Sequence, residues 1–336
     1  MKILVTGATG FVGHHVAAEF QARGAHLRLL HREGSCLANL VGLEGERFLG
    51  DLTRPETLVP ALKGCDAVAH VAADYRLWIP DPEAMLKANV EGTRALLALA
   101  KDAGVKRVVC TSSVATMGFF GDGRLSDEDT PVALKDMVGH YKRSKFLAER
   151  AALDAAEAGQ DVVVLNPTTP VGSHDLKPTP TGRIIVDFLR GAFPAYMDTG
   201  LNLVDVREVA RLHAEALEHA RPGRRYILGG ENLTLKQILD LLAELSGVPS
   251  PKLRIPHWAA YAYAAFEQTF TGRLLGREPR ATTEEVRMGR KKMWVSSARA
   301  QNELGLRPTA VREALAQAVA WFRSRGPAVR GLRGCP

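Results

Sequence analysis

The sequence predicts an α/β protein in which a doubly wound parallel sheet is followed by a smaller C-terminal α/β unit. Over residues 1–170, short apolar runs rich in β-branched residues alternate with longer helical stretches. Strands that are apolar throughout are typical of a parallel sheet covered by helices on both faces. A chain of 336 residues is long enough to form this sheet and a smaller partner.

The expected elements of the first part follow from hydrophobic periodicity. We expect strands at Ile3–Thr6, Leu27–His31, Arg47–Leu49, Ala67–Val71, Arg107–Thr111 and Val162–Asn166. Stretches rich in Ala, Leu, Glu and Lys at helical spacing predict helices at Phe11–Arg23, Pro55–Leu62, Glu83–Ala103 and Tyr141–Ala158.

The rhythm changes after Pro167, where the Pro-, Thr- and Gly-rich stretch 177–182 interrupts the alternation. Helices are expected at Ile184–Arg190, Val206–Glu218 and Leu235–Ser246, and Arg225–Leu228 is expected to return a strand to the main sheet. The prediction is therefore a first domain over 1–170 with a returning segment near 200–228, a second over 171–325, and a disordered tail over 326–336.

The charge and the cysteines exclude several classes of function. The net charge of +7 is not a continuous basic run and is not interleaved with aromatic residues, so an anionic cofactor or substrate is favoured over nucleic acid. The four cysteines lack the spacing of metal ligands, so no metal site is predicted. With no long apolar run and no signal peptide, the expected compartment is the cytoplasm.

A glycine-rich loop lies directly between the first expected strand and the first expected helix. Gly7 allows a tight turn, Gly10 allows the backbone to approach a pyrophosphate, and Gly13 allows the helix to pack close to the sheet. The amides at the start of the helix, at Phe11 and Val12, would meet the negative charge. This context predicts a dinucleotide-binding loop and makes residues 1–170 the expected NAD(P)-binding domain of Rossmann type.

The end of the second expected strand bears on which dinucleotide binds. Arg32 stands where an NAD-selective protein usually has an acidic residue. A guanidinium suits a 2′-phosphate because it can donate paired hydrogen bonds to it, whereas a carboxylate would repel the phosphate. Arg32 therefore predicts NADP(H), and the neighbouring Glu33 leaves NAD as the alternative.

Candidate catalytic residues follow the fifth strand and lie in the helix after it. Tyr141 and Lys145 are spaced so that both side chains lie on one helix face. A free tyrosine has a pKa of about 10, and a nearby ammonium favours the phenolate and makes it a better base at neutral pH. Ser113, with Ser112 as the alternative, would donate a hydrogen bond to the reacting oxygen.

In this order the motifs resemble the extended short-chain dehydrogenases/reductases of the NAD-dependent epimerase/dehydratase family. The resemblance rests on the GxxGxxG spacing, the run Thr111–Ser113, YxxxK, the Asn89–Thr93 segment and Asn166-Pro167. It implies catalysis by Ser113, Tyr141 and Lys145. It also implies cofactor contacts from Asp51 and Leu52 to the adenine end, and from Ala72, Tyr141, Lys145 and Pro167 to the nicotinamide end.

Four further segments resemble the hopanoid-associated sugar epimerases: Ala73–Trp78, Lys177–Arg183, Leu201–Val206 and Gly229–Thr234. This resemblance implies an NADP(H)-dependent epimerase acting on a sugar or nucleotide-sugar linked to hopanoid lipid metabolism. Arg32 is also similar to the phosphate-binding arginine of dihydroflavonol reductases, which implies the alternative of an NADPH-dependent ketone reductase with an apolar substrate. A nucleotide sensor without catalysis is the third hypothesis, and the intact set of three catalytic residues speaks against it.

Two expectations concern partners other than a small-molecule substrate. The two long helices expected at Glu83–Ala103 and Tyr141–Ala158 resemble those that form a dimer interface in this superfamily, so a homodimer is expected. The aromatic stripe at His257–Phe266 is interpreted as core packing. A wall of an apolar substrate pocket and, because a basic stretch follows, peripheral membrane contact are its alternatives.

Overall fold

The computed structural model describes residues 1–76, 81–120, 123–274, 279 and 281–325. The expected tail at 326–336 and the end of the segment Ala73–Trp78 lie outside these residues. No helix in the described part of the chain is long and apolar enough to cross a membrane.

The strands within the described residues are β1 (Lys2–Thr6), β2 (His26–His31), β3 (Glu46–Leu49), β4 (Ala67–His70), β5 (Arg107–Thr111), β6 (Val162–Pro167), β7 (Thr169–Val171), β8 (Ala195–Met197), β9 (Gly200–Asp205), β10 (Arg225–Leu228), β11 (Glu231–Thr234) and β12 (Leu253–Ile255). The α-helices there are α1 (Phe11–Ala22), α2 (Leu58–Leu62), α3 (Pro82–Leu86), α4 (Gly92–Asp102), α5 (Gly139–Glu157), α6 (Pro180–Leu189), α7 (Val206–His219), α8 (Leu235–Ser246), α9 (His257–Glu267), α10 (Thr283–Met288), α11 (Ala298–Leu304) and α12 (Val311–Ser324). Single 3₁₀ turns lie at Ala38–Leu40, Pro55–Thr57, Val114–Thr116 and Leu134–Asp136, and π-helical turns at Lys87–Glu91 and Gln268–Leu274.

The main sheet has seven parallel strands in the order β10-β6-β5-β4-β1-β2-β3. The chain starts in β1, moves outwards to β2 and β3, and then returns to β4 on the other side of β1. The strand order thus reverses between β1 and β4, and ligands of such sheets bind in the crevice at the carboxyl ends of these strands. The predicted Rossmann-type fold is confirmed, and the seventh strand comes from the second half of the chain.

Both faces of this sheet are covered, as its uniformly apolar strands require. Ile3 and Val5 of β1 belong to a buried cluster with α1 and α7, whereas Leu4 between them belongs to a cluster with α2, α4 and α5. All three residues are fully buried. Because side chains alternate along a strand, this division assigns one helical layer to each face.

The second half of the chain also builds smaller sheets and a core of its own. Strand β9 lies between β7 and β11 in a three-stranded sheet, and β8 pairs with β12. A separate apolar cluster joins α6, α8 and α12. Helix α6 begins at Pro180, earlier than the expected Ile184, because the Thr179 hydroxyl caps the Gly182 amide at 3.1 Å and proline is favourable in a first turn.

The long helix expected at Glu83–Ala103 is interrupted. A π-helical turn at Lys87–Glu91 separates α3 from α4. Such turns insert one extra residue per turn and are frequent at functional sites. Here the turn contains Asn89, which is 3% exposed.

His213 of α7 is a fully buried histidine that the fold keeps neutral. Its ring lies 2.8 Å from the Val209 carbonyl and 2.7 Å from the Thr111 hydroxyl, so one nitrogen donates and the other accepts. Burial lowers the pKa of His213 to about 4, although the bond to Val209 opposes the shift. The stabilisation by neutral His213 is therefore complete above the unfolded pKa and is lost as pH falls from about 6.5 towards 4.

We expect His213→Gln to destabilise the protein most at pH 7.5 and less at pH 5, because only the wild-type protein must keep a titratable ring neutral. The difference in unfolding free energy between the two proteins should shrink by up to about 2 kcal/mol between these pH values. Urea unfolding at both pH values measures this change. An equal difference at pH 7.5 and pH 5 would show that His213 is not the titrating group.

Candidate active site

The glycine loop has a geometry that only glycine permits at two positions. Gly7 has φ +78°, and a Cβ added there would lie 2.7 Å from the Ala72 amide nitrogen. A Cβ at Gly13 would lie 2.1 Å from the Gly7 carbonyl oxygen. The Gly10 amide donates to that same oxygen at 2.8 Å and closes the turn. The loop therefore brings α1 as close to the end of β1 as a backbone can approach.

The start of α1 is open to an anion. No side chain caps the helix at Gly10, and no acidic residue lies in its first turn. The loop is fixed from behind by Asn39, whose amide donates to the carbonyls of Thr9 and Gly10 at 3.3 Å each and to that of His174 at 3.1 Å. Unsatisfied amides at the positive end of a helix dipole suit a pyrophosphate, so this part of the site fits a dinucleotide.

Asp51 and Leu52, which are predicted to contact the adenine, lie just after β3, and Arg32 lies just after β2. Arg32 is exposed, and its charge acts on Asp51. Burial opposes ionisation of Asp51, but hydrogen bonds from Thr53 and the charge of Arg32 outweigh it and lower the pKa of the carboxyl. Leu52 packs so closely against α4 that a Cβ at Gly92 would lie 2.8 Å from the Leu52 Cβ. The structure thus brings Arg32 and Asp51 to one edge of the crevice.

His70, the last residue of β4, connects the carboxyl end of β1 to helix α4. Its ring lies 2.9 Å from the Thr6 hydroxyl on one side and 2.9 Å from the Thr93 hydroxyl on the other. The Thr6 hydroxyl in turn accepts from the amides of Val71 and Ala72 at 3.1 Å each. Burial, helped by the charge of Lys145, lowers the pKa of His70 to about 3. The ring is therefore neutral, and it orients the Thr6 hydroxyl that binds the Ala72 amide.

The YxxxK pair lies in the first two turns of α5. Lys145 is 6% exposed, and its ammonium donates to the Thr111 carbonyl at 2.9 Å, at the end of β5. Burial lowers the pKa of Lys145 to about 8, and the Glu149 carboxylate on the next turn opposes this shift. Tyr141 is partly buried one turn before Lys145. The pair therefore points towards the carboxyl end of the sheet.

Ser113, and not Ser112, is the serine that meets the tyrosine. Burial raises the pKa of the Tyr141 phenol, and a hydrogen bond with Ser113 partly offsets that rise. Ser113 also begins a 3₁₀ turn by accepting from the Ala115 amide at 3.1 Å. The Ser112 hydroxyl is buried and has no hydrogen-bond partner within the described residues. The three predicted catalytic residues therefore lie where the carboxyl end of β5 meets the start of α5.

Asn89 ties the loop after β4 to the tyrosine helix. Its side-chain oxygen accepts from the Asp74 amide at 2.7 Å, and its nitrogen donates to the Asp74 carbonyl at 2.8 Å and to the Ser144 hydroxyl at 3.0 Å. Asn89 therefore positions two segments of the site.

A buried ionic network under the site was missed by the sequence analysis. Glu149, 3% exposed, accepts from the amide of Asn166 at 2.6 Å, from the hydroxyl of Thr116 at 2.8 Å and from the guanidinium of Arg225 at 2.9 Å. Asn166 also donates to the Ser113 carbonyl at 3.1 Å. The available signal was spacing, since Glu149 follows Tyr141 and Lys145 at intervals of four residues.

Pro167, the last sequence-predicted cofactor contact, is the final residue of β6. It is buried and lies opposite Leu228 of β10. Its position at the carboxyl end of the strand places it at the same edge of the sheet as Ser113 and the glycine loop.

We expect Glu149→Gln to lower the free energy of unfolding by at least about 2 kcal/mol, because it leaves the Arg225 guanidinium without its buried counter-charge. The matched control is Asp154→Asn on the same helix, since Asp154 pairs with Arg150 at 3.0 Å but both side chains are more than half exposed. That variant should cost less than about 1 kcal/mol. Urea unfolding measures both, and equal costs would contradict a special role for the buried pair.

Comparisons with known proteins agree with this geometry. A model of the NAD dependent epimerase/dehydratase family matches residues 3–229. The chain is 44% identical over 326 residues to a dihydroflavonol 4-reductase-like protein of Synechocystis sp., covering 96% of this chain and 94% of that protein. It is 37% identical over 327 residues to sterol demethylase protein B of Methylococcus capsulatus, covering 97% and 99%. The crystal structure of gox2253 superposes with a TM-score of 0.87 at 46% identity and covers 97% of this chain and 98% of that one.

The chain therefore belongs to the NAD-dependent epimerase/dehydratase family, within the short-chain dehydrogenase/reductase superfamily, and is an NAD(P)-dependent oxidoreductase or epimerase.

Proposed function

We propose that this protein is an NADP(H)-dependent oxidoreductase that interconverts a hydroxyl and a ketone on an apolar, polycyclic substrate. The observation that carries the proposal is the buried ammonium of Lys145 at the carboxyl end of β5, which places Tyr141, one helical turn earlier, at the strand end that continues into Ser113. A phenol, a hydroxyl donor and a cation at the end of a nucleotide-binding sheet are the groups needed to move a proton on and off a substrate oxygen.

Tyr141 is the general acid/base in this proposal. In the reductive direction its phenol gives a proton to the oxygen of the substrate, and in the oxidative direction its phenolate takes that proton back. Ser113 donates a hydrogen bond to the same oxygen and stabilises the negative charge that develops there. Lys145 favours the phenolate through its charge. The bound nicotinamide supplies the hydride acceptor or donor.

The cofactor is assigned to the crevice between β1 and β4. Gly7, Gly10 and Gly13 with the amides of Phe11 and Val12 hold the pyrophosphate. Arg32 binds the 2′-phosphate of NADP(H), and its exposed position near Asp51 supports this assignment.

The remaining cofactor contacts follow the two ends of the dinucleotide. Asp51 and Leu52 lie towards the adenine. Ala72, Lys145 and Pro167 lie towards the nicotinamide and its ribose, an assignment supported by their place at the carboxyl edge of the sheet. NAD is the alternative cofactor.

The class of substrate rests on the relatives and on the surroundings of Tyr141. Two relatives carry names that refer to a dihydroflavonol and a sterol, which are polycyclic compounds. Phe119 follows the Ser113 turn and is held at the start of α5, since its ring lies 5.6 Å from the Lys142 ammonium and its carbonyl accepts from Lys291 at 3.0 Å. We assign Phe119 to an apolar wall of the substrate site and residues 171–325 mainly to substrate binding.

A sugar or nucleotide-sugar epimerase, linked to hopanoid lipid metabolism, is the second candidate. The description of the family supports it, because the same three residues serve an epimerase that keeps the ketone in the site and returns hydride to the opposite face. A cytoplasmic location and a homodimer through α4 and α5 stay predictions.

A substrate survey tests the proposal. The purified protein is incubated with a steroid ketone, a dihydroflavonol and nucleotide-sugars, each with NADPH and with NADH, while nicotinamide absorbance and product stereochemistry are followed. Net oxidation of NADPH with a polycyclic ketone is the expected result. Inversion of a sugar carbon without net consumption of cofactor would replace the proposal by its alternative.

We expect Tyr141→Phe to lower kcat by about a hundredfold or more, because the variant cannot exchange the proton. The affinity for NADP(H), measured by fluorescence titration, should stay largely intact. Tyr263→Phe is the matched control, since the Tyr263 hydroxyl donates to the Glu267 carboxylate at 3.5 Å within α9 and has no assigned chemistry. Retention of turnover by the Tyr141 variant would refute the assigned base.

We expect Arg32→Ala to raise the Kd for NADP(H) roughly tenfold or more, because a charge-assisted hydrogen bond to phosphate is lost, and to leave the Kd for NAD(H) nearly unchanged. Arg54→Ala is the control, because Arg54 is also exposed and its charge also acts on Asp51. An equal rise in Kd for both cofactors, or a selective rise for NADP(H) only in the Arg54 variant, would show that Arg32 does not bind the 2′-phosphate.

A further inference from the structure

Helix α9 is packed with its small residues inwards and its large residues outwards. Ala264 is fully buried and Ala260 is 9% exposed, and both contact Val286 of α10 in a small cluster bordered by Met197 and Ile255. The prediction that the aromatic stripe at His257–Phe266 packs in the core is wrong, because Trp258, Tyr263 and Phe266 are exposed. The alanines form the contact with the rest of the protein, so the aromatic residues are left for another environment.

Four large apolar residues are exposed along α9 and the π-helical turn that follows, in addition to Tyr261 and Tyr263 of the same helix. The exposed fractions are 75% for Trp258, 61% for Phe266, 47% for Phe270 and 71% for Leu274. Successive members are eight or four residues apart and share one side of the helix. Phe266 and Phe270 stack with their ring centroids 5.6 Å apart. We call these four residues the α9 ridge. Exposed large apolar side chains grouped on one segment of the surface, two of them stacked on each other, are typical of an interaction site.

The charge around the α9 ridge is positive. The described side chains between residues 252 and 292 include six Lys and Arg against three Glu. Asp198 pairs with two of these cations, Arg254 at 2.9 Å and Lys292 at 3.7 Å, so the balance stays positive. Lys252 and Arg254 lie just before the ridge, and Arg287, Arg290 and Lys291 follow it in or after α10. All five side chains are exposed. A partner that covers the ridge therefore meets cations at its border, which favours an anionic surface.

We propose that the α9 ridge docks the protein on an anionic lipid surface. A helix with aromatic and leucine side chains on one side and cations beside them is typical of interfacial membrane binding, in which the apolar side chains enter the headgroup boundary. A tryptophan at the end of the ridge suits the same boundary, because its ring is apolar and its N–H can remain hydrated. A second copy of the chain is the weaker occupant, because it would bring the same positive charge to the contact.

The ridge lies beside the substrate side of the site. Helix α10, on which α9 packs, carries Glu284, whose carboxylate occupies the position where a Cβ at Gly139 would be. Gly139 begins the helix that contains Tyr141. A docked protein would therefore present the start of the tyrosine helix near the lipid surface. The docking itself does not depend on the proposed reaction.

Flotation with vesicles tests the proposal. The full chain is mixed with vesicles of phosphatidylcholine alone or of phosphatidylcholine with phosphatidylglycerol, at low and at high salt. Co-flotation with the anionic vesicles that weakens at high salt is expected, because screening reduces attraction between the cations and the lipid. The double variant Phe266→Ser, Phe270→Ser should lower the partition coefficient about tenfold or more, because two apolar side chains no longer enter the lipid.

The controls separate docking from folding and from catalysis. Val41→Ser changes a side chain that is 74% exposed elsewhere on the surface and should leave flotation unchanged. The double variant should keep the Tm and the turnover of a water-soluble ketone, so that a failure of docking is distinct from a failure of the proposed reaction. Absence of flotation for the unmodified protein, or equal flotation of the double variant, overturns the proposal. A loss of dimer mass in the double variant without vesicle binding would also overturn it and assign the ridge to a contact between copies.

Discussion

The ammonium of Lys145 is buried at the carboxyl end of β5, where it donates to the Thr111 carbonyl at 2.9 Å. A buried cation is costly unless it is hydrogen-bonded and has a counter-charge nearby. Glu149, one turn further along α5, provides that charge and is itself fixed by Arg225. The orientation of α5 relative to the sheet, and with it the position of Tyr141 beside Ser113, depends on this buried pair of charges on one helix face.

This dependence joins the two halves of the chain. Arg225 is the first residue of β10, which the second half adds to the edge of the sheet next to β6. The guanidinium also donates to the Glu128 carbonyl, and the Glu128 carboxylate accepts from the Ile227 amide at 2.7 Å. The loop before α5, the tyrosine helix and the returning strand are therefore held by one set of polar contacts. A site built on the first 170 residues alone would lack its electrostatic support.

The local parts of the fold and site could be predicted from sequence, and the contacts between distant segments could not. Strand periodicity and the glycine loop depend on neighbours in the chain, and so does the spacing of Tyr141 and Lys145. The bonds from Asn39 to the glycine loop and to His174, like the pairing of Glu149 with Arg225, join residues far apart in sequence. The exposure of the α9 aromatic residues could not be predicted for the same reason, because an aromatic stripe does not show whether another segment of the protein covers it. In the structure, Ala260 and Ala264 make the contact instead.

The central claim is that hydride passes between NADP(H) and a ketone carbon while Tyr141, as general acid/base, exchanges a proton with the oxygen. Its most direct test is reduction of a polycyclic ketone with NADPH that carries deuterium at both C4 positions of the nicotinamide, followed by mass spectrometry and NMR of the product. We predict one deuterium on the carbinol carbon for each NADPH oxidised. Product without deuterium at that carbon, or no oxidation of NADPH with any ketone while a nucleotide-sugar is inverted, would contradict it.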